Sequence, residues 1–214
     1  MFSILTQRFS ADHQSRVEVR FQSEVFEYIY DDMKNAGCTF YVKQPELRSR
    51  LGLEPIDFRS YDETRAFERG AKAAELAALR AGDPIVWIVF GEHSGRWVDF
   101  RETSAHPPRF SDSWLTGFVI VRRDVWNACW CGKRPCTQTT VMRFLQAWRP
   151  YVSADLNGSL CEWRYVDETN GEDYWSDGYL DMEEALEEAL SRHPECRYEE
   201  GDFDEIVQYR LKRA

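Results

Sequence analysis

Residues 85–90 read IVWIVF, six apolar side chains without a break. A strand with one wet face alternates, so an unbroken run of this length asks for cover on both faces of a sheet. Cover is on offer immediately upstream. Ser60 with Glu63 three residues on makes a capping box, in which each side chain satisfies an otherwise unpaired backbone N–H. Residues 61–80 then carry Phe67, Ala71, Ala74 and Ala78 on one narrow face suited to close packing, and Ala81-Gly82-Asp83-Pro84 stops the helix.

The remaining segments fit round that strand. Residues 2–6, 17–21 and 39–42 read as strands, and 25–34 as a short helix with Val25, Ile29 and Met33 at fourfold spacing. After a turn at His93-Ser94-Gly95, residues 96–100 return antiparallel, and 117–121 (GFVIV) add a further strand. Residues 122–129 and 137–148 read as helices, the second with Val141, Leu145 and Trp148 on one face. Residues 160–166 alternate Cys161, Trp163 and Tyr165 against Glu162 and Arg164. Asn170-Gly171 follows as a hairpin signal, because both residue types tolerate positive φ, and puts Tyr174 and Trp175 on the return strand. Asp181 with Glu184 caps a helix whose Ala185, Leu186, Ala189 and Leu190 face a core, and 206–211 reads as a closing strand. The expected fold class is α+β, a mostly antiparallel sheet covered by helices. Two packed subdomains, 1–82 and 83–214, are expected to meet near Gly82.

Charge is the functional signal that rises above background. Residues 151–214 hold 18 acids and 6 bases, whereas residues 1–150 hold 19 acids and 21 bases. The whole net charge of −10 therefore sits in one third of the chain. Such an asymmetry bears on what a surface binds and not on fold. At 43% hydrophobic and 14% aromatic the chain is too rich in core formers for a disordered acidic tail. No apolar run approaches the ~20 residues of a membrane span. The opening MFSILTQRFS lacks the basic flank of a secretory signal, so a cytoplasmic location and six reduced thiols are expected.

Carboxylates spaced along a hairpin and a helix can occupy a groove that a partner built for phosphates. The candidates are Asp167, Glu168, Glu172, Asp173 and Asp177 on the hairpin, then Glu183, Glu184, Glu187 and Glu188 on the helix. Glu199, Glu200, Asp202, Asp204 and Glu205 extend the run. Tyr174, Trp175 and Tyr179 lie among them, and Tyr and Trp are the usual anchors of protein interfaces. The bland alternative is a solvated face that only solubilises.

Other constellations are weaker. CWCGKRPC brings Cys129, Cys131 and Cys136 within eight residues, and with Cys161 they number the four thiolates a zinc ion takes, at an uncommon spacing. Arg122, Arg123, Lys133, Arg134, Arg143 and Arg149, interleaved with Trp126, Trp130 and Trp148, have the composition of a single-strand binder. The favoured reading pairs these bases with the acidic end and puts the tryptophans in the core. Glu92, His93 and Ser94 beside Asp99 and His106 lack the converging geometry that a nucleophile and base need. No G-x-S-x-G elbow, no G-x-G-x-x-G, no G-x-x-x-x-G-K-[ST] and no H-E-x-x-H occurs.

FGEHSG at 90–95, FSDSWLTGFVIVRRDVW at 110–126 and WRYVDETNGEDYWSDGYLDMEEALEEA at 163–189 give an order of features that resembles a group of small acidic phage and mobile-element proteins over about residues 85–190. That resemblance implies a mobile-element origin, where small acidic proteins often inhibit host defence. The expectation is a non-enzymatic inhibitor, anti-CRISPR-like, that occludes the nucleic-acid groove of a CRISPR effector or restriction enzyme by charge mimicry. It includes no cofactor, no direct nucleic acid and no membrane. The alternatives are a zinc-stabilised structural or regulatory module, and an enzyme with an unrecognised site.

Overall fold

The structure is a computed structural model that describes residues 4–22, 27–105, 112–171 and 173–199. The expected strand at 206–211, His106, Glu172, Glu200, Asp202, Asp204 and Glu205 lie outside those residues. In chain order the elements are β1 (Ile4–Phe9), β2 (Ser15–Phe21), α1 (Glu27–Asn35), β3 (Cys38–Val42), α2 (Pro45–Arg50), α3 (Tyr61–Ala81) and β4 (Ile85–Gly91). There follow β5 (Trp97–Arg101), β6 (Ser113–Val121), α4 (Arg123–Cys129), α5 (Gln138–Asn157), β7 (Cys161–Asp167), β8 (Asp173–Tyr179) and α6 (Met182–Arg192). The fold is α+β, and its antiparallel strands form two four-stranded sheets where the sequence suggested one.

The expected division at Gly82 is corrected. The chain forms two compact units, one of Met1–Val25 with Gly158–Ala214, the other of Phe26–Asn157. Gly82 lies inside the second unit as the cap between α3 and β4, with φ 72°. The left-handed backbone there lets Asp83 N reach Ala78 O at 2.9 Å, which ends the helix without ending the unit.

In the second unit the strand order is β3-β6-β4-β5. β4 therefore has a neighbour on each side, as its apolar run demands. Ile85 and Trp87 pack with Phe118 and Ile120 under the small side chains Ala71, Ala74 and Ala78 of α3. On the opposite face Ile88, Val98 and Phe100 meet Tyr30 and Met33 of α1, Leu47 of α2 and Val152 of α5. Ser60 Oγ accepts Glu63 N at 3.4 Å, but Glu63 returns its carboxylate to Asp57 N at 2.8 Å rather than to Ser60. The last predicted helix of this unit ends nine residues later than expected, running through Pro150 to Asn157. Val152 and Leu156 continue its buried face past the proline, so packing outweighs the one missing backbone donor.

The first unit has the order β1-β2-β7-β8, with β2 and β7 paired from Ser15↔Asp167 to Phe21↔Cys161. One face carries Val17, Val19, Cys161, Trp163 and Tyr165, closed by Ala185 and Ala189 of α6 and by Cys196. The β7–β8 connection is not a two-residue hairpin. It spans residues 168–172, Asp167 Oδ1 takes Thr169 N at 2.8 Å, and of the Asn170-Gly171 pair Gly171 alone has positive φ, 72°.

Candidate binding surface of the first unit

The helical period decides which acids of α6 point outward. Ala185 and Ala189 are fully buried, so Glu183 and Glu187 project to solvent, and among the described residues neither makes an ion pair. Glu184 is also exposed but is engaged in the cap: its backbone N donates to Asp181 Oδ1 at 2.8 Å and its carboxylate accepts Leu180 N at 3.4 Å. Glu188 pairs with Arg192 one turn on, at 2.7 Å.

The hairpin acids behave differently. Asp173 is held by the Arg164 guanidinium on the adjacent strand, Nε donating at 2.7 Å, which keeps its carboxyl below the usual range. Glu168 pairs with Arg16. Asp167 is tied down by the Thr169 hydroxyl first and the Thr169 backbone N–H second, and these lower its pKa. Asp177 accepts Gln22 Nε2 at 3.3 Å. Alternation along β8 puts Asp173, Trp175 and Asp177 on the face away from α6. Tyr174, opposite Tyr165 in the register, falls on the α6 face.

Asp173 and Asp177 therefore lie on the opposite side of the sheet from the α6 carboxylates, and Asp167, Glu168, Asp173 and Asp177 are each bonded within their own unit. Tyr174 and Trp175 remain exposed, at 52% and 61%. Tyr179 is a packing residue, its hydroxyl accepting Trp163 Nε1 at 3.1 Å.

The face away from α6 contains residues that sequence reasoning passed over. Arg16, Glu18 and Arg20 of β2 meet Glu162 and Arg164 of β7 in the register Glu18↔Arg164 and Arg20↔Glu162. Glu18 and Glu162 are buried, and each accepts from an arginine, Arg16 Nε at 2.6 Å and Arg20 Nε at 2.5 Å. The signal was present in SRVEVRF, where Val17 and Val19 alternate with Arg16, Glu18 and Arg20.

The cysteine quartet does not form. Cys161 is sealed in the first unit's core, Cys136 is buried in the second unit close enough to Cys38 to influence it, and Cys129 and Cys131 are exposed. Among the described residues no three His, Cys, Asp or Glu side chains come together to hold a metal.

The basic segment also departs from expectation. Trp126 is a core residue, its Nε1 donating to Arg134 O at 2.8 Å, but Trp130 and Trp148 are only half-buried. Arg122 pairs with Asp124 and Arg149 with Asp99, both acids of the same unit. His93 Nδ1 lies 3.1 Å from Asp112 Oδ2 in full solvent, and Ser94 sits at the turn with φ 57°.

A groove of about 370 Å³ beside α3, floored by Tyr41, Trp87 and Phe118, has its charges matched in the pairs Lys43–Glu68 and Lys72–Glu75, both 2.8 Å. It offers no nucleophile–base pair. Among the described residues no helix is long and apolar enough to cross a membrane. Compared with protein-family models, with curated proteins and with solved structures, the chain matches none of them.

Proposed function

We propose that this is a non-enzymatic binding protein that uses the outer face of α6 to engage a basic, nucleic-acid-handling partner. The observation that carries the reading is the pair Glu183 and Glu187, exposed one turn apart and without an ion pair among the described residues. Two like charges one turn apart weaken an isolated helix by a few tenths of a kcal/mol, a cost that a cationic partner surface would reverse. Exposed Tyr174, on the α6 side of the sheet, supplies the aromatic contact that charge alone lacks, and aromatic anchors carry most of the free energy of an interface.

Together with the resemblance over residues 85–190, this supports an inhibitor of host defence, anti-CRISPR-like, whose partner is a CRISPR effector or a restriction enzyme. The mode is occlusion of a phosphate-binding groove, narrowed from the whole acidic region to α6 and its neighbours. A zinc-stabilised module has little to rest on, since the four cysteines are dispersed.

The test is capture from host lysate on immobilised protein at about 0.1 M salt and again near 1 M, where the screening length falls from ~10 to ~3 Å. The reading expects a nucleic-acid-binding protein retained at the lower salt alone, and displaced by added nucleic acid. Retention that ignores both would overturn it.

A further inference from the structure

We infer that the second unit carries a single-stranded nucleic-acid-binding surface on the α4–α5 loop and the outer side of α5. This goes beyond the proposed function and reverses the expectation of no direct nucleic-acid contact. Two independent features meet there.

The first is charge. Residues 122–149 hold six bases and one acid in a chain of net −10. Arg122 and Arg149 are paired, but Lys133, Arg134 and Arg143 are exposed and make no ion pair among the described residues. Cys131 and Gly132 both adopt positive φ, 47° and 71°, and turn the chain so that Lys133 and Arg134 follow at an exposed loop.

The second is a run of rings. Trp126, buried, contacts Phe144 edge-on at 5.3 Å between centroids and Trp130 at 5.8 Å. Phe144 passes the contact to Trp148 at 6.4 Å, and Trp148 to Tyr151 at 5.7 Å. Spacing of four and three residues along α5 sets these last rings in one stripe, half-buried and not covered by the sheet-facing residues Val141 and Leu145. Trp130 is where the two features join. The Arg134 guanidinium lies 4.2 Å from its ring centroid, and the buried Trp130 Nε1 has no hydrogen-bond partner among the described residues.

The occupant follows from what each class of ligand presents. An apolar peptide satisfies rings but leaves three cations unmatched. A duplex satisfies cations but keeps its base faces stacked inside. A single strand presents phosphates and free base faces together, which is the combination that aromatic and basic surfaces bind.

The experiment is a fluorescence titration of the full chain with an oligothymidylate of about 20 nucleotides at low salt, where phosphate contacts are strongest. The inference expects saturable quenching of tryptophan emission and an affinity that falls steeply with salt. Lys133→Glu, Arg134→Glu and Arg143→Glu combined, all at exposed positions, should weaken binding by at least ~10-fold. Trp130→Ala should weaken it by about 5- to 100-fold, with Trp130→Phe recovering part of the loss. Absence of saturable binding by the wild type, undiminished binding by the charge-reversed variant, or equal affinity for a duplex of the same length would each overturn the inference.

Discussion

Asp173 on β8 lies against Arg164 on β7, the guanidinium Nε donating to one carboxylate oxygen at 2.7 Å while Nη2 reaches the other. A residue that belongs to a negative run in the sequence is therefore matched within its own sheet. The pair is a two-point contact, the strongest geometry open to an arginine and a carboxylate. It leaves the face away from α6 close to neutral in charge, with Trp175 exposed beside it.

That pair sets a pH dependence. Arg164 lowers the folded-state pKa of Asp173 below its unfolded value. The contribution is therefore complete above the ordinary carboxylate range and disappears as pH falls through the depressed value. Both side chains are more than a third exposed, at 36% and 43%, so screening limits it to less than about 1 kcal/mol. Urea midpoints followed from neutral pH downward should fall less steeply for Asp173→Asn than for the wild type. Parallel curves would show that the pair contributes nothing.

Arg48 is a buried cation that serves carbonyls and not a carboxylate. It donates from Nη1 to Val42 O at 2.9 Å and from Nε to Glu54 O at 3.2 Å, with the Phe58 and Phe67 rings at 6.0 and 5.6 Å. Burial lowers its pKa. Arg48→Met should cost about 2–4 kcal/mol in denaturant unfolding, because Val42 O at the end of β3 and Glu54 O in the loop after α2 lose charged donors. Arg48→Lys should recover less than half, since one ammonium cannot reproduce the fork. A loss below about 0.5 kcal/mol, the usual range of a surface change, would contradict the clamp.

Pro150 sits inside α5 at an exposed position. Restoring a backbone donor there should raise stability, so Pro150→Ala is expected to add about 1–3 kcal/mol. A lower melting temperature for the variant would mean that the helix does not continue through this position as described.

The thiols should divide by burial. Cys129 and Cys131 are exposed, and Cys38, Cys136, Cys161 and Cys196 are buried. Desolvation pushes the Cys38 thiol up to about 12, and the thiolate is the reactive form. A thiol reagent at neutral pH should modify two cysteines of the native protein quickly and the other four after unfolding. Early modification of Cys161 would place it outside the core.

Local signals proved readable where one segment contains its own cause. IVWIVF encodes double cover by continuity, Gly82 ends α3 by its backbone freedom, and Asp181 with Glu184 writes the start of α6. The division of the chain was not readable, because β2 finds its partner in β7: Arg20 meets Glu162, 142 positions away. No local pattern records such a register. The same register neutralises the hairpin, so a run of acids in the sequence became a mixed charged face and a separate helix face. Cys161 was miscast for a related reason, since only the packing of α6 on β7 shows that its side chain points into a core.

The central claim is that Glu183 and Glu187 of α6, and not the acids of the hairpin, carry partner recognition. The direct measurement compares captured partner on wild-type protein, on Glu183→Lys with Glu187→Lys, and on Asp173→Lys with Asp177→Lys, all at about 0.1 M salt where screening is incomplete. The account predicts that the helix variant loses the partner and that the hairpin variant keeps most of it. Loss on the hairpin variant with retention on the helix variant would contradict it.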